Sequence, residues 1–281
     1  MTEPLTRRHA LALGLGLAAS LPLAPASAQT ITRDLKPAGA PHDYRLFIER
    51  MGGEGPLAAL YLLDGNRTFP LAREAALRAD RPLLLVGLGY PVVDGEEIIR
   101  RRFLDFTPPT PPEAVPAPPG GPARETGGRD FFAGVLAASV GIAERDHEVA
   151  AGRRTLFGHS LGGHFALHMV FAHSPLFARI LSADPSVWWN DYGLMRELEA
   201  FRKAGGSEMA RRLSIVTAGE RPAPTGRPLL DVRRSGPGGA EMAGALRDDP
   251  ALKVGHEVYA GETHGSMIPR SVEAAVALAL T

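Results

Sequence analysis

Gly158-His159-Ser160-Leu161-Gly162 sets a serine between two glycines, the G-x-S-x-G spacing of a serine nucleophile held on a sharp turn. Thr155-Leu156-Phe157 before it reads as the end of a strand, and Phe165-Ala166-Leu167 after it as the start of an apolar helical face. Glycine is expected on both sides because side chains two positions from the serine would collide with the neighbouring strand and helix. A hydroxyl is too weak an acid to attack unaided, but a helix N-terminus favours the negative charge that develops on it. An ordinary glycine-rich turn would share these glycines and leave the histidine downstream unexplained.

That histidine is His264, in Thr263-His264-Gly265-Ser266, after the apolar run Val254 to Tyr259 and before the last helical stretch. A neutral imidazole there can take the Ser160 proton and return it to a leaving group. His256 lies inside the expected strand, away from the loops. With the order serine, acid, histidine, the acid should follow the strand 212–218. Glu220 is the first choice; Asp184, after the preceding strand, and Asp231 are the alternatives, and a serine–histidine dyad is the fourth reading. The oxyanion donors are expected to be the backbone N–H of Leu161 and that of Asn66 in Asp64-Gly65-Asn66-Arg67.

Short apolar runs at 44–49, 57–63, 82–88, 153–158, 178–183, 212–218 and 253–259 read as strands. Amphipathic stretches at 71–79, 130–149, 161–173, 192–204, 238–248 and 269–280 read as helices between them. The alternation predicts one α/β domain, 29–281, with a mostly parallel sheet covered by helices on both faces. The segment 104–129 is dense in proline and glycine and is expected to be a long loop, either a functional cover or an irregular insert. A second Gly/Pro-rich segment spans 219–238.

The chain has 281 residues and 31 basic against 31 acidic side chains, so it carries no excess charge for a nucleic-acid backbone or an anionic membrane. It has no cysteine, hence no disulfide and no thiolate metal site. His164 and His168 are four apart on the elbow helix, a spacing that can bind metal, but with no third ligand in view they read as a polar face. No metal or organic cofactor is expected. Residues 1–28 combine Arg7-Arg8, an apolar run from Ala10 to about Ala24, and Ala26-Ser27-Ala28, the layout of an export signal of twin-arginine type. Pro22 and Pro25 interrupt the run, which falls short of the ~20 residues of a membrane span. A periplasmic or secreted mature chain, not inserted in a membrane, is expected.

Further motifs carry a resemblance: Tyr61-Leu62-Leu63-Asp64-Gly65-Asn66, Gly87-Leu88-Gly89-Tyr90-Pro91, Arg102 with Asp105-Phe106-Thr107-Pro108, the GHSLGG elbow, Pro185-Ser186-Val187-Trp188-Trp189, and Gly261-Glu262-Thr263-His264-Gly265-Ser266. From about residue 42 the chain resembles the putative-esterase family of α/β-hydrolases, and within it the siderophore esterases that open catecholate trilactones. The resemblance implies the α/β-hydrolase fold and supports Ser160, His264 and Asn66 in their roles. Relatives usually carry serine where this chain has Asp184.

The expected reaction is hydrolysis of a small carboxylic ester through an acyl-serine. Acyl transfer on the same residues is the enzymatic rival, and a binding protein of the same fold the remote one. Trp188 and Trp189 are candidates for flat walls of an acyl pocket, or else core packing. Arg102 is a candidate for an anionic substrate group, or else a partner of Asp105.

Overall fold

The computed structural model describes residues 29–281 except 54, 116–123, 221–223, 225–230 and 232–234. The expected export signal, 1–28, lies outside the described residues. In chain order the elements are β1 (Ile31–Leu35), β2 (Tyr44–Met51), β3 (Leu57–Leu62), α1 (Gly65–Ala79), β4 (Leu83–Gly89), α2 (Gly95–Phe106), α3 (Arg129–Ala143) and β5 (Val149–His159). They continue with α4 (Leu161–Phe171), β6 (Arg179–Ala183), α5 (Trp189–Lys203), β7 (Arg211–Ala218), α6 (Gly239–Leu246), β8 (Leu252–Tyr259) and α7 (Ile268–Ala279).

The strands form one eight-stranded sheet in the order β1-β2-β4-β3-β5-β6-β7-β8. β1 and β2 run antiparallel, as do β2 and β4; from β4 to β8 the pairing is parallel. All six residues of β3, Leu-Ala-Ala-Leu-Tyr-Leu, are buried because helices cover both faces. Its side chains alternate: Ala59 and Tyr61 join one core with Phe132, Phe165, Trp189 and Met242, while Leu60 and Leu62 join a second with Phe69, Val272 and Val276. The first core lies under α3 to α6, the second under α1 and α7.

Most expected elements are present, and the differences have physical causes. α1 starts at Gly65 rather than 71 and accommodates Pro70 inside the helix. α2 was not expected; of its twelve residues only Asp105 and Phe106 are buried, and the Gly-Glu-Glu-Ile-Ile-Arg-Arg-Arg run that opens it has weak apolar periodicity. β1 is a short edge strand with a mostly exposed Ile-Thr-Arg-Asp-Leu sequence. The expected loop 104–129 is shorter than its boundaries, since 104–106 complete α2 and Arg129 opens α3. Its first part is tied down by Trp189 Nε1, which donates to Thr110 Oγ1 at 3.1 Å, and by the buried Val115. Among the described residues no helix is long and apolar enough to cross a membrane.

Candidate active site

The parallel strands β5 to β8 all point their C-terminal ends to one edge of the sheet, and the loops leaving those ends hold the site. Ser160 follows β5 directly with φ 61° and ψ −117°, a backbone conformation that costs a non-glycine residue about 1–3 kcal/mol. The surroundings hold it there. Its N–H donates to Ala183 O at 2.9 Å, and its carbonyl accepts from His164 N at 2.9 Å and Ser186 N at 3.1 Å. A Cβ on Gly158 would sit 2.1 Å from Gly162 O, so glycine is compulsory there. At Gly162 a Cβ would meet nothing closer than 3.5 Å, whereas at Gly163 it would lie 3.0 Å from both Ala183 O and Ser182 Oγ. The steric demand after the serine therefore falls on Gly163 more than on Gly162, one position later than the spacing argument placed it.

His264 stands in the turn between β8 and α7. Its Nε2 lies 3.1 Å from Ser160 Oγ and its Nδ1 lies 2.5 Å from Asp184 Oδ2. This fixes the tautomer, with Nδ1–H donating to the carboxylate and Nε2 free to accept the serine proton. Asp184 sits just past β6 with φ 40°, its N–H donating to Val216 O at 2.7 Å, which turns the carboxylate toward the histidine. Burial would raise the Asp184 carboxyl, but the hydrogen bond and positive charge of His264, with the Ala218 N–H, outweigh it and hold the group below the usual carboxylate range.

The acid expected first, Glu220, does not make this contact. It is exposed, and its backbone N–H donates to Glu262 O at 3.0 Å while Nδ1 of His264 is taken by Asp184. A residue two beyond a strand end can face the base or miss it, and here the strand-end turn carries Glu220 outward. Asp231 lies in a segment of which little is described, and His264 is already paired without it. His256 stays in β8, 3.1 Å from Thr217 Oγ1.

The backbone N–H groups of Leu161 and Asn66 stand in the first turns of α4 and α1, where a helix leaves its N–H groups without an intrahelical acceptor. The side chain of Asn66 is engaged elsewhere, accepting from Tyr90 N at 2.8 Å and donating to Tyr90 O at 2.9 Å. These bonds fasten the start of α1 to the end of β4, and the fit is close: a Cβ on Gly89 would lie 2.2 Å from Asn66 Oδ1. Arg102 pairs with Asp64, not Asp105, in a two-pronged contact of 2.8 and 3.0 Å. Asp105 is instead buried among Tyr44, Tyr90 and His42.

Two cavities meet at Ser160 and His264. The larger, about 550 Å³, is lined by Asn66, Arg67, Ile98, Ile99, Arg102 and Ile268. The smaller, about 210 Å³, lies on the other side against Pro185, Val187, Trp188 and Glu220. Trp188 thus reaches the site. Trp189 does not: it is fully buried and packs edge-on against Phe103, with ring centroids 5.5 Å apart.

Residues 121–220 match the model of the family described as putative esterase. The siderophore triacetylfusarinine C esterase of Aspergillus fumigatus is 35% identical over 161 residues, 54% of this chain and 52% of that protein. The siderophore enterobactin esterase of Emericella nidulans is 39% identical over 157 residues, 51% of this chain and 50% of that protein. The chain therefore spans about half the length of these curated relatives. The solved structure of the BES protein from Bacillus cereus superposes with a TM-score of 0.73 at 25% identity, covering 89% of this chain and 95% of that one.

The fold is that of the α/β-hydrolases.

Within this fold two further residues near the serine hold the site in place. His159, the residue before Ser160, is 8% exposed, and its Nε2 donates to the backbone carbonyl of His264 at 2.8 Å. Burial first, then the neighbouring His264 and Arg102, push it down to about 3, so it is a fixed neutral donor. Ser186 places its Oγ 3.3 Å from Ser160 Oγ, and its carbonyl accepts from His164 Nδ1 at 3.1 Å. The only hint of either in the sequence was position within a motif. His164 and His168 do not converge on a common point: the first faces Ser186 and the second Glu197, at 2.7 Å. No cluster of metal-binding side chains occurs among the described residues.

Proposed function

We propose that this chain hydrolyses a carboxylic ester of siderophore type through an acyl-serine intermediate. One observation carries the reading: His264 bridges Ser160 and Asp184 at 3.1 and 2.5 Å, the geometry of an activated nucleophile with an oriented base. Ser160 Oγ attacks the ester carbonyl carbon while its proton passes to His264 Nε2, and the carbonyl π pair moves onto oxygen. The N–H groups of Asn66 and Leu161 receive that charge, and Asp184 stays ionised against the imidazolium. Collapse of the tetrahedral adduct breaks the ester C–O bond, and the alcohol leaves with the proton from Nε2. Water then enters, gives a proton to Nε2 and attacks the acyl carbon; Ser160 departs and recovers its proton as the acid is released.

The siderophore part of the proposal is supported by the names of the relatives and by the cavity of about 550 Å³, in which Ile98, Ile99 and Ile268 offer apolar wall beside Arg67 and Arg102. The smaller cavity, with Trp188, takes the other half of the ester. The order of residues 1–28 supports export before the chain acts, with the mature protein beginning near Gln29 in the periplasm or outside the cell.

A fluorophosphonate probe followed by peptide mass mapping, run beside a panel of trilactone, aryl and short-chain esters, tests the reading. Label on Ser160, and turnover fastest on a siderophore ester, is the expected result. An unlabelled protein would leave a binding protein of this fold, and labelling with turnover only when an alcohol acceptor is added would make it an acyltransferase.

A further inference from the structure

At the edge of the sheet opposite the active site, the N-terminal ends of β5 to β8 surround a second cleft of about 550 Å³. Arg179, Arg212 and Lys253 line it, and they are register partners on three neighbouring strands: Arg179 opposite Arg212, and Arg212 opposite Lys253. Partners in adjacent parallel strands project from the same face, about 4.8 Å apart across each step. Arg153, two residues before Thr155, the partner of Arg179, is close enough to act on Arg179 by its charge.

Like charges directly opposite one another weaken a sheet. The row is not a by-product of a basic protein, because the chain carries 31 basic and 31 acidic side chains. Nor is it neutralised locally. Among the described residues no carboxylate lies within ion-pair distance of Arg153, Arg179, Arg212 or Lys253. The contacts these cations make are neutral: Arg179 donates to Gly152 O at 2.8 Å and Arg212 to Thr281 Oγ1 at 2.7 Å. Arg211, which also lines the cleft, is 5% exposed and spends two of its nitrogens on Phe177 O and Ser174 O. The Nε atoms of both Arg179 and Arg211 are buried with no partner. Burial chiefly, and then the charges of Arg153 and Arg212, lower the Arg179 guanidinium from its ordinary value.

We propose that this cleft binds a soluble oxyanion carrying more than one negative charge. Its oxygens would answer the row of cations, turning repulsion between neighbouring strands into charge-assisted hydrogen bonds. The site is about one strand length from Ser160 and shares no lining residue with either active-site cavity. It stands or falls independently of the ester chemistry.

Isothermal titration of the protein with inorganic pyrophosphate at low salt tests it. The expected result is saturable binding with Kd of about 1 mM or tighter. Arg179→Gln with Arg212→Gln and Lys253→Gln should weaken it at least ~10-fold while leaving turnover of a test ester unchanged, which also shows that the variant folds. Arg179→Lys with Arg212→Lys keeps the charge and should retain most of the affinity. Absence of saturable binding would overturn the proposal. So would undiminished binding by the triple variant, which would move the anion to Arg67 and Arg102, or attachment to phosphatidylglycerol vesicles without any affinity for pyrophosphate.

Discussion

Asp184 Oδ2 lies 2.5 Å from His264 Nδ1 although 80 residues separate them, and the contact joins the loop after β6 to the loop after β8 across the intervening strand β7. If Asp184 orients and stabilises the imidazolium, Asp184→Asn should lower kcat by a factor of about 10³ to 10⁴ with KM nearly unchanged. Glu220→Gln should change kcat less than about threefold, because Glu220 lines the smaller cavity while His264 Nδ1 is held by Asp184. Steady-state kinetics of both variants on one ester decide the point, and the opposite ranking would return the acid to Glu220.

Ser160→Ala and His264→Ala should each remove most of the turnover, and the double variant should be little worse than either alone, because the two side chains act as one unit. Additive losses in a double-mutant cycle would speak for two separate roles.

His159 is expected to matter through the carbonyl it holds. His159→Phe removes the 2.8 Å hydrogen bond to His264 O and should lower kcat by about 10- to 100-fold at similar KM. His159→Gln, which keeps an N–H donor at similar reach, should recover part of the loss. Equal rates for the Phe variant and the parent would make the contact incidental.

Two buried histidines predict acid sensitivity well above the carboxylate range. Burial holds His159 at about 3 and His164 at about 4, against about 6.5 in the unfolded chain. Their folded values are depressed, so the neutral forms contribute full stability above pH ~6.5, where neither state binds the proton. As the pH falls from ~6.5 toward ~4 the unfolded chain takes up protons that the folded chain refuses, and each histidine removes up to about 1.4 kcal/mol per pH unit. Melting temperatures measured from pH 7 to 4 should therefore decline, with a shallower slope in His164→Leu. An unchanged slope would assign the decline to other groups.

The elbow glycines are not equivalent. Gly158→Ala forces a Cβ to 2.1 Å from Gly162 O and should cost more than about 3 kcal/mol or prevent folding. Gly162→Ala meets only ordinary contacts and should keep a folded chain that still labels at the serine. Denaturant unfolding and probe labelling of the two variants check the asymmetry.

The parts of the molecule governed by local pattern were readable in the amino-acid sequence. Six apolar residues of β3 must be buried on both faces, and Gly158 before Ser160 marks a turn with no room for a Cβ. Such features are set by neighbours in the chain. The choice among Glu220, Asp184 and Asp231 was of another kind, because each follows or approaches a strand end and only the bending of the loops over His264 separates them. Arg102 shows the same limit: Asp105 is nearer in the chain, yet the partner is Asp64, in the turn between β3 and α1. α2 itself was hidden because its charged, half-exposed sequence has little apolar rhythm. Trp188 and Trp189 are adjacent in sequence, and no pattern could tell that one would face the cleft and the other the core.

The seat of Asp184 at the end of β6 has a consequence for how the chain can change. With the carboxylate supplied from there, the stretch between β7 and α6, Gly219 to Gly238, carries no member of the Ser160, His264 and Asp184 trio. One wall of the smaller cavity, made by Gly219, Glu220, Pro237 and Gly238, therefore belongs to a stretch that holds none of the three, while the opposite wall is shared with them. Insertions, deletions or swapped sequences in that stretch can reshape this wall without replacing Ser160, Asp184 or His264, so the contour of the cleft can vary while the trio is kept.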